Sequence, residues 1–137
     1  MVDLVKSMHI AASGMHAQSQ RLRIVSENIA NVDSLGKFPG DAPYRRKVIA
    51  FRNVLDRELG AEKVKVQKIG VDKSNFKRKY DPSHPLSDAE GYILTPNVSS
   101  MIEMMDMREA RRGYESNLNV IEVSKNMLMQ TIGMLRK

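Results

Sequence analysis

Met8, Met15, Leu22 and Ile29 stand seven residues apart. Ala11, Val25 and Val32 stand three residues beyond members of that row, with Gln18 as the polar interruption. Alternating steps of three and four form a coiled-coil seam, narrower than the apolar face of a globular helix. The pattern predicts one helix over residues 3–32. Asp3 is its expected N-cap, where a carboxylate also suits the positive end of the helix dipole. Thirty residues rising 1.5 Å each give a rod of about 45 Å. Ala11, Ala12, Ser13 and Gly14 make one small-residue turn. A helical Gly costs about 1 kcal/mol relative to Ala, so either another helix approaches closely there or the glycine is tolerated. The row ends in a polar cluster, Asn28, Asn31, Asp33 and Ser34.

A second seam is longer. Met104, Met107, Arg111, Tyr114, Leu118, Ile121, Lys125, Leu128, Ile132 and Leu135 again alternate three and four. They predict a helix over residues 98–135, with Ser100 and Glu103 as an S-x-x-E capping box after Pro96-Asn97. Only Arg136 and Lys137 lie beyond the pattern.

Between the seams the periodicity changes. Gly36, Pro39, Gly40 and Pro43 break the first helix. Residues 44–51 and 63–71 read as short strands, the second alternating Val64 and Val66 with Lys63 and Lys65, whose charges discourage stray edge pairing. Residues 91–94 suggest a third strand. Pro82 and Pro85 stiffen a turn over residues 80–85. The expected fold is mainly α: long N- and C-terminal helices packing as a coiled coil, with a small β-rich insert. Its segments are residues 1–35, 36–96 and 97–137, the first and last together forming one helical domain.

Composition sharpens this picture. The 137 residues suffice for one modest domain. Aromatics make up only 5%, without Trp, which is thin for a globular core, whereas ten Met suit surfaces that meet several partners as well as ordinary helix packing. The absence of Cys excludes disulfides, thiol catalysis and cysteine zinc sites. No stretch reaches the roughly 18–20 apolar residues that span a bilayer. Asp3, Lys6, Ser7 and His9 interrupt the start, so no cleaved secretory signal is expected. The positive excess behind the net charge of +6 is confined to residues 37–80, where 13 Lys/Arg face 5 Asp/Glu, while the C-terminal segment is slightly acidic.

Candidate chemistry is sparse. His9 and His16 are seven apart, whereas helical metal pairs use i and i+4. Asp81, Ser83 and His84 crowd one stiff turn, which suits side-chain hydrogen bonding within the turn and not a triad. No phosphate loop or carboxylate pair marks a cleft, so no enzyme, cofactor or metal is expected. Arg45-Arg46-Lys47 and Lys77-Arg78-Lys79 are triplets of the kind that contact phosphates, which keeps a basic helical DNA-binding protein as an alternative. A non-polymerising secreted adaptor is another. The seams favour assembly, because helices of this kind draw most of their stability from packing partners. The expected subunit-packing residues are Met8, Met15, Leu22, Val25, Ile29 and Val32, meeting Met104, Met107, Tyr114, Leu118, Ile121, Leu128, Ile132 and Leu135, within and between subunits. Possible insert contacts are Arg45, Arg46, Lys47, Tyr80 and His84.

"SGMHAQSQRLRIVSENIANVDS" resembles the N-terminal signature of bacterial flagellar rod and hook axial proteins, a Ser-Gly-Met-x-Ala-x-x-x-Arg-Leu run ending in Asn-Ile-Ala-Asn. "NVSSMIEMMDMREARRGYESNLNVIEVSKNMLMQTIGML" is similar to their closing helix. "DAPYRRKVIAF" and "YDPSHPLSDAEGYILTPNV" resemble the proximal-rod members most. Ser34 stands where the family often has Thr. The resemblance implies a structural subunit of the drive shaft of the flagellar basal body, transmitting torque in the periplasmic rod. It further implies synthesis in the cytoplasm and export through the flagellar type III apparatus without signal cleavage. The implied partners are other copies, other rod proteins of the FlgB, FlgF and FlgG types, and the adaptor FliE, with no nucleic acid and no direct membrane span.

Overall fold

The structure, a computed structural model, describes residues 1–136. Its elements run α1 (Val2–Ala30), β1 (Lys47–Asp56), β2 (Ala61–Val71), β3 (Lys77–Tyr80), β4 (Tyr92–Thr95) and α2 (Ser100–Leu135). Two long helices thus enclose two small sheets in sequence, one pairing β1 with β2 and the other β3 with β4. No described helix is long and apolar enough to cross a membrane. Lys137, the last residue of the expected 97–137 segment, lies outside the described residues.

Both helix starts differ from expectation. The Val5 N–H donates to the Met1 carbonyl at 3.2 Å, so α1 begins at Val2 and Asp3 lies in its first turn instead of capping it. In α2 the Glu103 N–H donates to the Ser99 carbonyl at 3.0 Å. Ser99 therefore holds the N-cap position in place of Ser100, and Glu103 is one residue too far along to close a capping box on it. At its other end α1 tightens, with the Val32 N–H reaching the Ile29 carbonyl at 3.3 Å. The Asn31 side chain satisfies the Glu27 carbonyl at 2.8 Å. Val32 falls in that turn, outside the helix.

The first hairpin is set by Asp56. Its carboxylate accepts the Glu58 and Leu59 N–H groups, each at 3.1 Å, and pairs with Lys63 Nζ at 2.6 Å. Gly60 closes the turn at φ 64°, a left-handed conformation that glycine adopts without a Cβ penalty. The strand expected at 44–51 starts and ends later: the Tyr44 N–H donates back to the Ser34 carbonyl at 3.0 Å and the Arg46 N–H to Asn97 Oδ1 at 2.8 Å, while the Arg46 carbonyl accepts the Asp72 N–H at 2.8 Å at the margin of the sheet. The expected third strand is β4, and it pairs antiparallel with β3 in the register Lys77↔Thr95, Arg78↔Leu94, Lys79↔Ile93, Tyr80↔Tyr92. β3 was not expected: it is exposed at all four residues and so carries no alternation to read.

The chain forms two compact units. Unit 1 comprises Met1–Leu22, Ile49–Lys68 and the described part of 108–137. Here the segments of α1 and α2 run antiparallel. A Cβ on Gly14 would lie 2.7 Å from Asn117 Nδ2, a Cβ on Gly113 would lie 3.1 Å from Gln18 Nε2, and Arg21 meets Glu109 at 3.5 Å. Ala11, Ala17 and Ala110 are buried in the same packing. The small-residue turn therefore admits a second helix closely, and Ser13 Oγ also accepts the Val64 N–H of β2 at 3.2 Å. Unit 2 comprises Arg23–Val48 and Ile69–Met107. Its core includes Ile24, Val25, Ile93 and Val98.

The tight approach at Gly14 generates a coupling test. Gly14→Ala gains up to about 1 kcal/mol of helix propensity, but its methyl must displace the Asn117 amide. Thermal unfolding should therefore show Gly14→Ala to be more favourable in an Asn117→Ala background than in the wild-type chain. Equal effects in the two backgrounds would mean the contact is absent.

Candidate functional site

The most densely bonded place in unit 2 grows from the "ENIAN" end of α1. Asn28 is 1% exposed. Its Oδ1 accepts from the Tyr44 hydroxyl at 2.8 Å and from the Lys47 N–H at 2.9 Å. Its Nδ2 donates to the Lys47 carbonyl at 2.9 Å and to Glu103 Oε2 at 3.1 Å. All four bonding positions of the amide are used. It grips both backbone groups of Lys47 as a neighbouring strand would, and so fixes where β1 leaves the helix.

Glu103, fully buried, receives Arg46 Nε on its other oxygen. Arg46 also faces Asp106 at 3.4 Å and Asp72 at 3.7 Å. Burial disfavours the Arg46 charge, but the bond to Glu103 and the surrounding carboxylates outweigh it and raise its pKa. The Arg46 N–H donates to Asn97 Oδ1 at 2.8 Å, and the Asn97 amide donates to the Asp72 and Ser74 carbonyls. A buried carboxylate is costly unless charge-paired and bonded, and here it is both.

Five of the six triplet cations engage partners inside this unit, and Lys79 is exposed. Arg45 donates to the Asp72 and Ser74 carbonyls at 2.7 and 2.9 Å and lies over the Phe76 ring at 4.1 Å. Lys47 pairs with Glu27 at 2.7 Å. Lys77 donates to the Val98 carbonyl at 2.8 Å, and Arg78 pairs with Asp88 and Glu90 while lying 4.5 Å over Tyr92. Tyr80 is exposed and meets Tyr92 edge-on at 5.2 Å. In the Tyr80–Pro85 turn, Ser83 Oγ donates to Asp81 at 2.8 Å and His84 Nδ1 accepts the Leu86 N–H at 3.1 Å. The imidazole is thus engaged in holding the turn.

The residues expected to pack subunits divide by exposure. Val25 is buried; Met8, Met15, Leu22, Ile29, Val32, Met107, Tyr114, Ile121 and Leu128 are half-buried. Met104, Leu118, Ile132 and Leu135 are exposed. The covered stripe of α2 shares the Met107, Tyr114, Ile121, Leu128 row with the sequence pattern. Its other row is Glu103, Ala110, Asn117, Ser124 and Thr131, one residue earlier than expected. That leaves an outer face with further apolar residues that the seam pattern did not single out: Met101, Ile102, Met105, Val120, Val123, Met127, Met129 and Met134. Sequence reasoning also missed the bonding roles of Asn28, Asn97 and Glu103. The only available signal was the polar cluster that ends the first seam.

Comparison with known proteins follows the same two helical regions. Residues 8–36 match the family model described as "Flagella basal body rod protein", and residues 89–134 match "Flagellar basal body rod FlgEFG protein C-terminal". The chain is similar to the flagellar basal-body rod protein FlgC of Agrobacterium fabrum, 49% identical over 99% of this chain and 98% of that one. It is 39% identical to FlgC of Borreliella burgdorferi, over 98% of this chain and 99% of that one. FlgC of Bacillus subtilis is 36% identical, over 92% and 94%.

Two outcomes follow from the bonded cluster. Asn28→Ala orphans buried groups and should lower stability by about 1–3 kcal/mol in denaturant titration; an unchanged midpoint would show that the amide is dispensable. Hydrogen bonds from Ser74 hold the Asp72 carboxyl below its ordinary pKa, and the Lys47 ammonium does the same for Glu27. A depressed folded pKa gives stability that is present above the ordinary carboxylate range and lost as pH falls through it. The melting temperature should therefore fall on acidification below that range, and by less in Asp72→Asn.

Proposed function

The chain belongs to the FlgC family of flagellar basal-body rod proteins, and from that premise we propose that it is a structural subunit of the proximal rod. In this reading, residues 1–35 and 97–137 act as one axial helical domain and residues 36–96 as an insert directed at neighbours. Subunits join by coiled-coil packing between the apolar faces of their terminal helices. Torque then passes through many shared hydrophobic contacts, and no step is catalysed. Partners are further copies, rod proteins of the FlgB, FlgF and FlgG types, and the adaptor FliE. The subunit reaches the periplasmic rod through the flagellar type III apparatus without signal cleavage.

The observation that carries this reading is the outer face of α2. Met105, Val123 and Met127 are 64%, 56% and 51% exposed, opposite a covered stripe that sets Glu103, Ala110, Asn117 and Ser124 beside the Met107, Tyr114, Ile121, Leu128 row. Each Leu or Ile buried against a neighbour contributes about 1.5–3 kcal/mol. The internal engagement of Arg45, Arg46, Lys47, Lys77 and Arg78 weighs against DNA as the partner.

Val123→Asp provides the test. The residue is exposed in the subunit, so the isolated chain should keep its melting temperature while incorporation into basal bodies and motility are lost. Ile121→Asp, on the covered row, should weaken the subunit itself as well. Normal motility with Val123→Asp would refute packing through this face.

A further inference from the structure

The loop after α1 carries the most exposed aromatic side chain of the protein. Phe38 is 70% exposed, whereas Phe51 and Phe76 are half-buried. The loop is nevertheless firmly tied. The Asp41 N–H donates to the Phe38 carbonyl at 3.0 Å, with Pro39 and Gly40 (φ 84°) between them, which makes a type II turn. The Asp41 carboxylate accepts the Lys37 and Ala42 N–H groups, each at 3.0 Å. A Cβ on Gly36 would lie 2.7 Å from the Asp41 carbonyl oxygen, so glycine lets the two limbs of the loop close. A fixed turn thus holds a phenyl ring in water, where most of its surface gains nothing from its own chain. A partner that covers the ring meets a side chain already in place, with little left to order.

Unit 1 carries a recess of the right kind. Val2, Val5, Leu59, Leu128 and Ile132 line a cavity of about 470 Å³, whose charged side chains are Lys6 and Glu58. An apolar cavity of about 150 Å³ already holds a benzene ring, so a phenyl side chain fits. The loop presents the complementary pair of charges, because Lys37 and Asp41 flank Phe38 and both are exposed.

We propose that Phe38 of one copy seats in this recess on a second copy of the chain, with Lys37 against Glu58 and Asp41 against Lys6. The inference rests on the assembly reading given above and names one joint within it. Ring and recess lie on different patches, one in each compact unit. The contact is therefore head-to-tail, and a copy that offers its ring keeps its own recess free for the next. The ring contributes through the apolar area it removes from water, and the two charge pairs fix its direction of entry.

The experiment has two arms. In the first, cells receive two forms of this Cys-free chain at once, one carrying A42C and the other R57C. Both positions are exposed, one beside the ring and the other beside Glu58. Purified basal bodies are treated with a short bismaleimide, which can join positions 42 and 57 only between copies. A dimer with that linkage, identified by peptide mass spectrometry, is expected. In the second arm, F38A, K37E and E58K should each lower incorporation into basal bodies severalfold while the isolated chain keeps its melting temperature. The double variant K37E/E58K should restore incorporation, because the exchanged charges again oppose one another. Unchanged incorporation of F38A, a double variant no better than the single ones, or a cross-link from position 42 into a different protein in place of the dimer would each overturn the proposal. If the native chain is missing from purified basal bodies, the assembly reading falls and this joint with it. If the native chain is present and the dimer does not form, the joint alone falls.

Discussion

The fold turns on how little apolar surface α2 buries against its own chain. Along its covered stripe, Glu103 and Ala110 are 0% exposed and Ser124 is 6% exposed, while Met101, Met134 and Leu135 on other faces exceed 70%. Hydrophobic burial is the main favourable term in folding and association. In this chain much of that potential stays on the outside of a 36-residue helix. Soluble monomers rarely expose contiguous apolar patches larger than a few hundred Å². In the proposed assembly, an outer face of this kind is where neighbouring subunits would pack.

The small inner residues and the apolar outer ones are complementary. Gly14, Ala17, Ala110 and Gly113 let the helix segments of unit 1 approach closely, which costs helix propensity but needs few bulky side chains. In unit 2, where hydrophobic contact would leave register loose, Asn28, Glu103, Arg46 and Asn97 fix it through directional bonds. A fully satisfied buried network rigidifies its surroundings. Unit 2 is thereby held together internally by polar geometry.

Long-period features were legible in the sequence. Both helices appear close to their expected bounds because a seam repeated over many turns survives local irregularity. The Met107, Tyr114, Ile121, Leu128 row was found, but its companion row was displaced by one residue. A hydrophobicity pattern marks apolar positions, and in this helix the covered companions are Glu103, Asn117, Ser124 and Thr131, which look like surface. The Ser100–Glu103 capping box failed for a related reason: the local motif is real, but a tertiary partner, Arg46, claims the carboxylate. β3 escaped notice because Lys77, Arg78, Lys79 and Tyr80 are all exposed. The charge excess of residues 37–80 suggested a nucleic-acid surface, yet the sequence does not show that Glu27 pairs with Lys47, or that Asp72, Glu103 and Asp106 all face Arg46.

The central claim is that the outer face of α2 is covered by neighbours in the assembled rod. Because the chain has no Cys, single cysteines at positions 123 and 127 can report it cleanly by maleimide labelling. The account predicts rapid labelling of the purified subunit and strong protection in isolated basal bodies. Equal labelling in the two states would contradict it.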